Sequence, residues 1–124
     1  MKRGIVVFAH GSRIEAANEA VRLVARELAR KGGFEHVEAA FLELGEPDLD
    51  GAVVHLAANG VREVLVVPYF LTLGTHLERD LPRIADRIGK AHPGVAIRLA
   101  PPLDGHPALA QILLDRVHAA GYTG

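Results

Sequence analysis

Gly4-Ile5-Val6-Val7-Phe8-Ala9, running straight into His10-Gly11-Ser12-Arg13, decides how the rest of the chain is read. The first six residues are mostly β-branched or apolar and do not alternate with polar ones. They predict a short strand buried on both faces. Strands of that kind belong to parallel sheets, whose neighbours are joined by long, usually helical, crossovers. The imidazole, glycine, hydroxyl and guanidinium that follow then fall at the strand's carboxyl end, where open α/β sheets carry their ligands.

Working outward, the chain repeats that unit. From Glu15 to Lys31 apolar residues recur every three or four positions (Ala17, Ala20, Val21, Val24, Leu28), which predicts an amphipathic helix stopped by Gly32-Gly33. Ser12 is placed to cap it. His36 to Leu42 reads as a second strand. Pro47-Asp48 opens a helix through Val53 and Leu56 that Asn59-Gly60 closes. Glu63 to Phe70 reads as a third strand and Val95 to Ala100 as a fourth. Between them a helix from about Leu77 to Ala91 turns Leu81, Ile84 and Ile88 inward, with Pro82 marking where its regular part starts. Pro107 to Ala120 is the last helix, with Leu109, Ile112, Leu113 and Val117 expected inward. The order βαβαβαβα with right-handed crossovers predicts an α/β fold, a doubly wound parallel four-stranded sheet with helices on both faces, as a single domain over 1–124.

Composition narrows the chemistry. The 124 residues are 49% hydrophobic and 23% charged with a formal net charge of -1, so nothing favours nucleic acid or an anionic membrane as partner. The apolar run behind Met1-Lys2-Arg3 is too short for a signal-peptide core or a span, and a cytoplasmic protein is expected. There is no cysteine, hence no thiolate nucleophile and no cysteine-held metal. Seven histidines stand out instead.

Parallel strands bring their following loops to one edge. Those loops hold His10, Ser12 and Arg13; then Glu43; then Phe70-Leu71-Thr72-Leu73-Gly74-Thr75-His76; then Asp104 and His106. His36 falls at the opposite edge, while His55, His92 and His118 fall in or at the ends of helices; these four read as structural or solvent-exposed. His106 is placed either to act or to set up the helix after it. Imidazole with carboxylate suits a borderline divalent ion such as cobalt, nickel, iron or zinc. It also suits proton transfer, because an ordinary imidazole, with a pKa of ~6.5, accepts a proton near neutral pH. Phe70, Leu71 and Leu73 are apolar where a loop should be polar. Either they tuck under the sheet or they wall a pocket for a large, flat ligand.

These stretches also resemble a known family. Val7-Phe8-Ala9-His10-Gly11-Ser12-Arg13 resembles the opening motif of the CbiX/SirB sirohydrochlorin chelatases. The segment Val67 to Pro82 resembles their second motif, Phe41-Leu42-Glu43 the segment carrying their active-site glutamate, and Pro101 to Pro107 their last loop. The resemblance implies the class II chelatase fold. It assigns metal binding and proton removal to His10 and His76, and a catalytic carboxylate to Glu43. It implies a divalent metal as substrate rather than a prosthetic group, with Co2+ expected and Fe2+ or Ni2+ as alternatives. Sirohydrochlorin would be the tetrapyrrole, held by Ser12, Arg13, Phe70, Leu71, Leu73 and Thr75. This chain matches the short, one-domain form, for which a homodimer is expected.

Two other readings compete. A phosphohistidine phosphatase also places His-Gly after its first strand, but needs an arginine directly before that histidine, where this chain has Ala9. A metal or tetrapyrrole carrier without turnover needs the same ligands as a chelatase, and only catalytic turnover separates the two.

Overall fold

The computed structural model describes residues 2–122. Its elements are β1 (Lys2–Ala9), α1 (Glu15–Gly32), β2 (Val37–Phe41), α2 (Leu49–Ala58), β3 (Val61–Pro68), α3 (Gly74–Ala91), β4 (Ala96–Leu99) and α4 (Ala108–Ala119). The four strands form one sheet in the order β2-β1-β3-β4, and every pairing is parallel. After β2 the chain crosses back over β1 and continues outward on its other side. The switch point therefore lies at the carboxyl ends of β1 and β3, the default place for a ligand in an open sheet.

The register sets what each face buries. Val6 and Phe8 of β1 stand level with Val66 and Pro68 of β3. Together with Ala40 and Val64 they pack under Ala52, Val53 and Leu56 of α2 and Leu81 and Ile88 of α3. The intervening residues Val7, Ala9, Ala39 and Phe41 face the other way, against Val21, Ala25 and Leu28 of α1. β1 is thus buried on both sides, as its unalternating sequence requires.

Three elements differ from the sequence reading. In α1 the inward stripe is Asn18, Val21, Ala25 and Leu28, while Ala17, Ala20 and Val24 are exposed. α3 starts at Gly74 rather than near Leu77 and is helical before Pro82 as well as after it, with Gly74 itself at φ 70°. Pro82 removes one rung of the helix, but Leu77 and Leu81 on one side and Ile84 and Ile88 on the other anchor the flanking turns to the core. α4 forms where expected but buries none of its residues: Ile112, Leu113 and Val117 are exposed rather than inward, and only Leu109 is half-buried. Its amphipathic period is real, but its own sheet does not receive it.

Candidate active site

The loops after β1 and β2 are zipped together beyond the ends of their strands. The Leu42 amide donates to the Ala9 carbonyl at 2.9 Å and the Glu43 amide to the His10 carbonyl at 3.0 Å. This extension of the parallel ladder carries His10 and Glu43 side by side, with Nε2 and Oε1 3.6 Å apart. Both side chains are more than half exposed, at 59% and 57%. The other imidazole nitrogen, Nδ1, lies 3.2 Å from the Gly11 carbonyl. A carbonyl only accepts, so Nδ1 carries the proton and donates there. In the neutral ring this leaves the lone pair on Nε2, with a carboxylate beside it. A neutral imidazole in this tautomer can bind a cation or take up a proton.

Gly11 makes the close approach of the two loops feasible. Its φ is 95°, and a Cβ built on it would lie 1.7 Å from the Glu43 carbonyl oxygen. Across from it Leu44 also has a positive φ, 57°, unusual for a residue with a branched side chain.

Asn18, 1% exposed, holds both loops from below. Its Oδ1 accepts from the Ser12 amide at 2.9 Å. Its Nδ2 donates to the Ser12 carbonyl at 2.8 Å and to the Leu44 carbonyl at 3.1 Å. One buried amide thereby fixes the His10 loop, the Glu43 loop and the strained Leu44. The sequence reading missed this residue. The available signal was its spacing, three before Val21 and seven before Ala25, which puts a polar side chain on the buried stripe of the helix. Leucine at position 18 keeps the volume but leaves the Ser12 amide and two carbonyls without partners. Asn18→Leu is expected to cost about 3 kcal/mol or more, at ~1–3 kcal/mol for each of the three orphaned groups, read from urea unfolding.

Arg22 adds a second brace. It donates to Glu15 at 2.5 Å and to the Glu46 carbonyl at 3.0 Å, and its guanidinium lies 5.3 Å from the centre of the Phe41 ring. The Arg22 hydrogen bond, helped by Asn18, holds the Glu15 carboxyl below its ordinary value. Ser12 does not cap α1. Ile14 is the residue before the helix, and the Ser12 hydroxyl instead accepts from the Ile14 amide at 3.0 Å, tightening the turn.

His76 and Thr75 stand in the first turn of α3, both exposed, and Arg13 is exposed on the β1 loop. Among the described residues His76 is not clustered with His10 and Glu43, and no three His, Cys, Asp or Glu side chains come together as a metal cage. Phe70 packs edge-on against Phe8, with ring centres 6.2 Å apart, and Leu73 also packs on the core. Leu71 remains open, 75% exposed. His106 accepts at Nδ1 from the Ala108 amide at 3.0 Å, so it caps α4. His55 and His92 pair with Glu38 at 2.7 Å and Asp50 at 3.0 Å.

The CbiX family profile matches residues 4–120. A sirohydrochlorin cobaltochelatase of Methanopyrus kandleri is 32% identical over 94% of this chain and 95% of its own length. One of Sulfurisphaera tokodaii is 36% identical over 92% and 90%. A chloroplastic sirohydrochlorin ferrochelatase of Arabidopsis thaliana is 31% identical over 92% of this chain but 51% of its own. The crystal structure of a CbiX protein from Marinobacter aquaeolei VT8 superposes with a TM-score of 0.84 at 35% identity, covering 95% of this chain and 96% of that one. With the paired loops and the His10 edge in the same frame, the chain belongs to the CbiX family.

Proposed function

We propose that this protein is a sirohydrochlorin cobaltochelatase, inserting Co2+ into the tetrapyrrole as a step of cobalamin biosynthesis. The observation that carries the reading is the His10–Glu43 pair, an imidazole Nε2 3.6 Å from a carboxylate at the sheet's carboxyl edge. The chain around it is similar along more than nine-tenths of its length to proteins named for this activity.

Insertion replaces two pyrrole N–H bonds by bonds to the metal and releases two protons. The site must therefore deliver a cation and accept protons. His10 Nε2 offers the lone pair, and the Glu43 carboxylate supplies negative charge that favours both the incoming ion and an imidazolium formed beside it. His76, at the start of α3, supplies the second imidazole to the same edge. Ser12, Arg13 and Thr75 meet the carboxylate rim of the macrocycle, Arg13 through a two-pronged contact. Leu71 provides apolar cover for its face, while Phe70 and Leu73 hold that loop to the core.

The pair lies on an open surface, and a macrocycle resting there would keep one face in water. A homodimer, each copy one domain over 1–124, encloses it from the other side. The same reading places the protein in the cytoplasm; among the described residues no helix is long and apolar enough to cross a membrane.

The test is turnover. With Co2+ and sirohydrochlorin in large excess over protein, the product spectrum should grow well past one equivalent. A single-equivalent conversion would make the protein a carrier. The Arabidopsis relative makes Fe2+ insertion the second reading, so Fe2+ and Ni2+ are run beside Co2+. Glu43→Gln keeps the shape and removes the charge. It is expected to slow insertion by about 10²–10⁴-fold, the range of a proton-transfer group, across all metal concentrations.

A further inference from the structure

Arginine is treated differently on two helices of this chain. On α1, Arg22 pairs with Glu15 and Glu19, Arg26 with Glu19 and Arg30 with Glu27. On α3, among the described residues, the ion pair is Lys90 with Asp86 at 2.9 Å, and Arg79, Arg83 and Arg87 are exposed and make none. Their spacing sharpens the contrast. At ~3.6 residues per turn, His76, Arg79, Arg83 and Arg87 fall within about a quarter of the helix circumference. Arg79 and Arg83, and again Arg83 and Arg87, are neighbours one turn apart, so like charges repel twice along the stripe. Glu78 and Asp80 share the helix but pair with none of the three.

The stripe begins at the site and leads to a hollow. His76 is its first member, in the first turn of α3. Arg87 borders a hollow of about 110 Å³ between α3 and the start of α2, floored by Phe41, Leu42, Leu49 and Ile84. Leu42 directly precedes Glu43, so the hollow lies beside the strand ends that carry the His10–Glu43 pair. Two carboxylates also border it, and both are engaged. Asp48 Oδ1 accepts from the Gly51 amide at 2.8 Å, and Asp50 Oδ1 lies 3.0 Å from His92 Nε2. Arg87 is the charged group left to meet a ligand there.

We propose that Arg79, Arg83 and Arg87 bind carboxylate arms of the tetrapyrrole, with one arm lodged in the hollow beside Arg87. This rests on the proposed function for the class of ligand and adds the side by which it is anchored. Sirohydrochlorin carries an acetate and a propionate on each of its rings, and Ser12, Arg13 and Thr75 leave most of them unmatched. From Arg79 to Arg87 the helix rises about 12 Å, comparable to one edge of the macrocycle. The hollow is too small for the macrocycle, at ~30 Å³ for each water-sized group, but takes one short methylene stem against Leu42 and Leu49 with its carboxylate at Arg87. An anionic rim laid along the stripe also relieves the repulsion between successive arginines.

The test changes each arginine to glutamine, which keeps the length and the helix propensity and removes the charge. Lys31→Gln removes the same charge at the end of α1 and serves as the control. Metal-free uroporphyrin, with the same set of arms, is titrated by fluorescence quenching beside a porphyrin dicarboxylate, and Co2+ insertion into sirohydrochlorin is followed at steady state. Each of Arg79→Gln, Arg83→Gln and Arg87→Gln is expected to weaken uroporphyrin binding and raise the KM for sirohydrochlorin by about 3–10-fold, with kcat little changed. The loss should shrink with added salt, and Arg87→Lys should recover part of it. Melting temperatures should hold or rise, because a repulsion has been removed. Lys31→Gln should change neither readout, and the dicarboxylate should lose less than uroporphyrin. Unchanged affinity in the triple glutamine variant overturns the proposal. So does an equal loss in Lys31→Gln, or an equal loss for the dicarboxylate. The two readings fail separately. Arginine-dependent uroporphyrin binding without turnover of sirohydrochlorin removes the chelatase and leaves the stripe. Turnover with arginine-independent binding removes the stripe and leaves the chelatase.

Discussion

His10→Ala is expected to reduce Co2+ insertion into sirohydrochlorin by about 10²–10⁴-fold, the span associated with losing a positioned proton-transfer group. The reason lies in the tautomer. With Nδ1 donating to the Gly11 carbonyl, the neutral ring carries its free lone pair on Nε2, which stands beside Glu43. Alanine removes that lone pair and leaves an exposed carboxylate without its neighbour. Glu43 can still attract the cation, so the substitution should damage turnover more than the apparent affinity for Co2+. His76→Ala is expected to fall in the same range without altering Glu43. Neither side chain is buried, so both variants should unfold at the wild-type denaturant midpoint. Near-normal turnover in both would remove the two histidines from the mechanism. Loss in His10→Ala alone would confine the chemistry to the His10–Glu43 pair.

The second large effect is structural. Gly11→Ala should lower the melting temperature by roughly 10 °C, from a loss of about 2–4 kcal/mol. Two costs combine. A φ of 95° is one that residues with a Cβ rarely adopt, and the added carbon would sit 1.7 Å from the Glu43 carbonyl oxygen, an impossible separation. The clash is with backbone, so a rotamer change cannot relieve it. The loops must separate, and with them His10 and Glu43. Activity should therefore collapse even at temperatures where circular dichroism shows the variant folded. An active Gly11→Ala protein of unchanged stability would mean that the loops are not held together as described. Gly33 is the internal control, because its φ is also positive but nothing lies within 4 Å of a built Cβ. Gly33→Ala should cost only the backbone strain and leave the site alone.

The sheet was legible because each strand is a short apolar run and each helix a periodic one; the strand limits shifted by a residue or two without changing the architecture. The edge that gathers His10 and Glu43 followed from parallel topology alone. What stayed hidden depended on partners the sequence does not name. The period of α4 shows which side is apolar but not which surface covers it. Asn18 carries its meaning through Ser12 and Leu44, the latter far along the chain. Leu44 takes a left-handed conformation without being glycine, so no residue type announces it. Phe70, Leu71 and Leu73 look alike in sequence, yet the loop after β3 packs the first and third, half-buried, against the core and leaves the second in water.

The strand order also bears on how the chain is made. β1 leaves the ribosome early but ends up inside the sheet, with β2 on one edge and β3 on the other. The β1–α1–β2 unit closes over the shorter span of chain, and it already contains His10, Gly11, Asn18 and Glu43. A nascent chain therefore holds every residue of the His10–Glu43 half of the site before it owns a complete sheet. Until β3 has been synthesised, the free edge of β1 is a row of unpaired backbone groups on the most apolar part of the product. Premature termination or slow translation between β2 and β3 would leave that edge open to other chains, which makes this interval the point of greatest aggregation risk during synthesis.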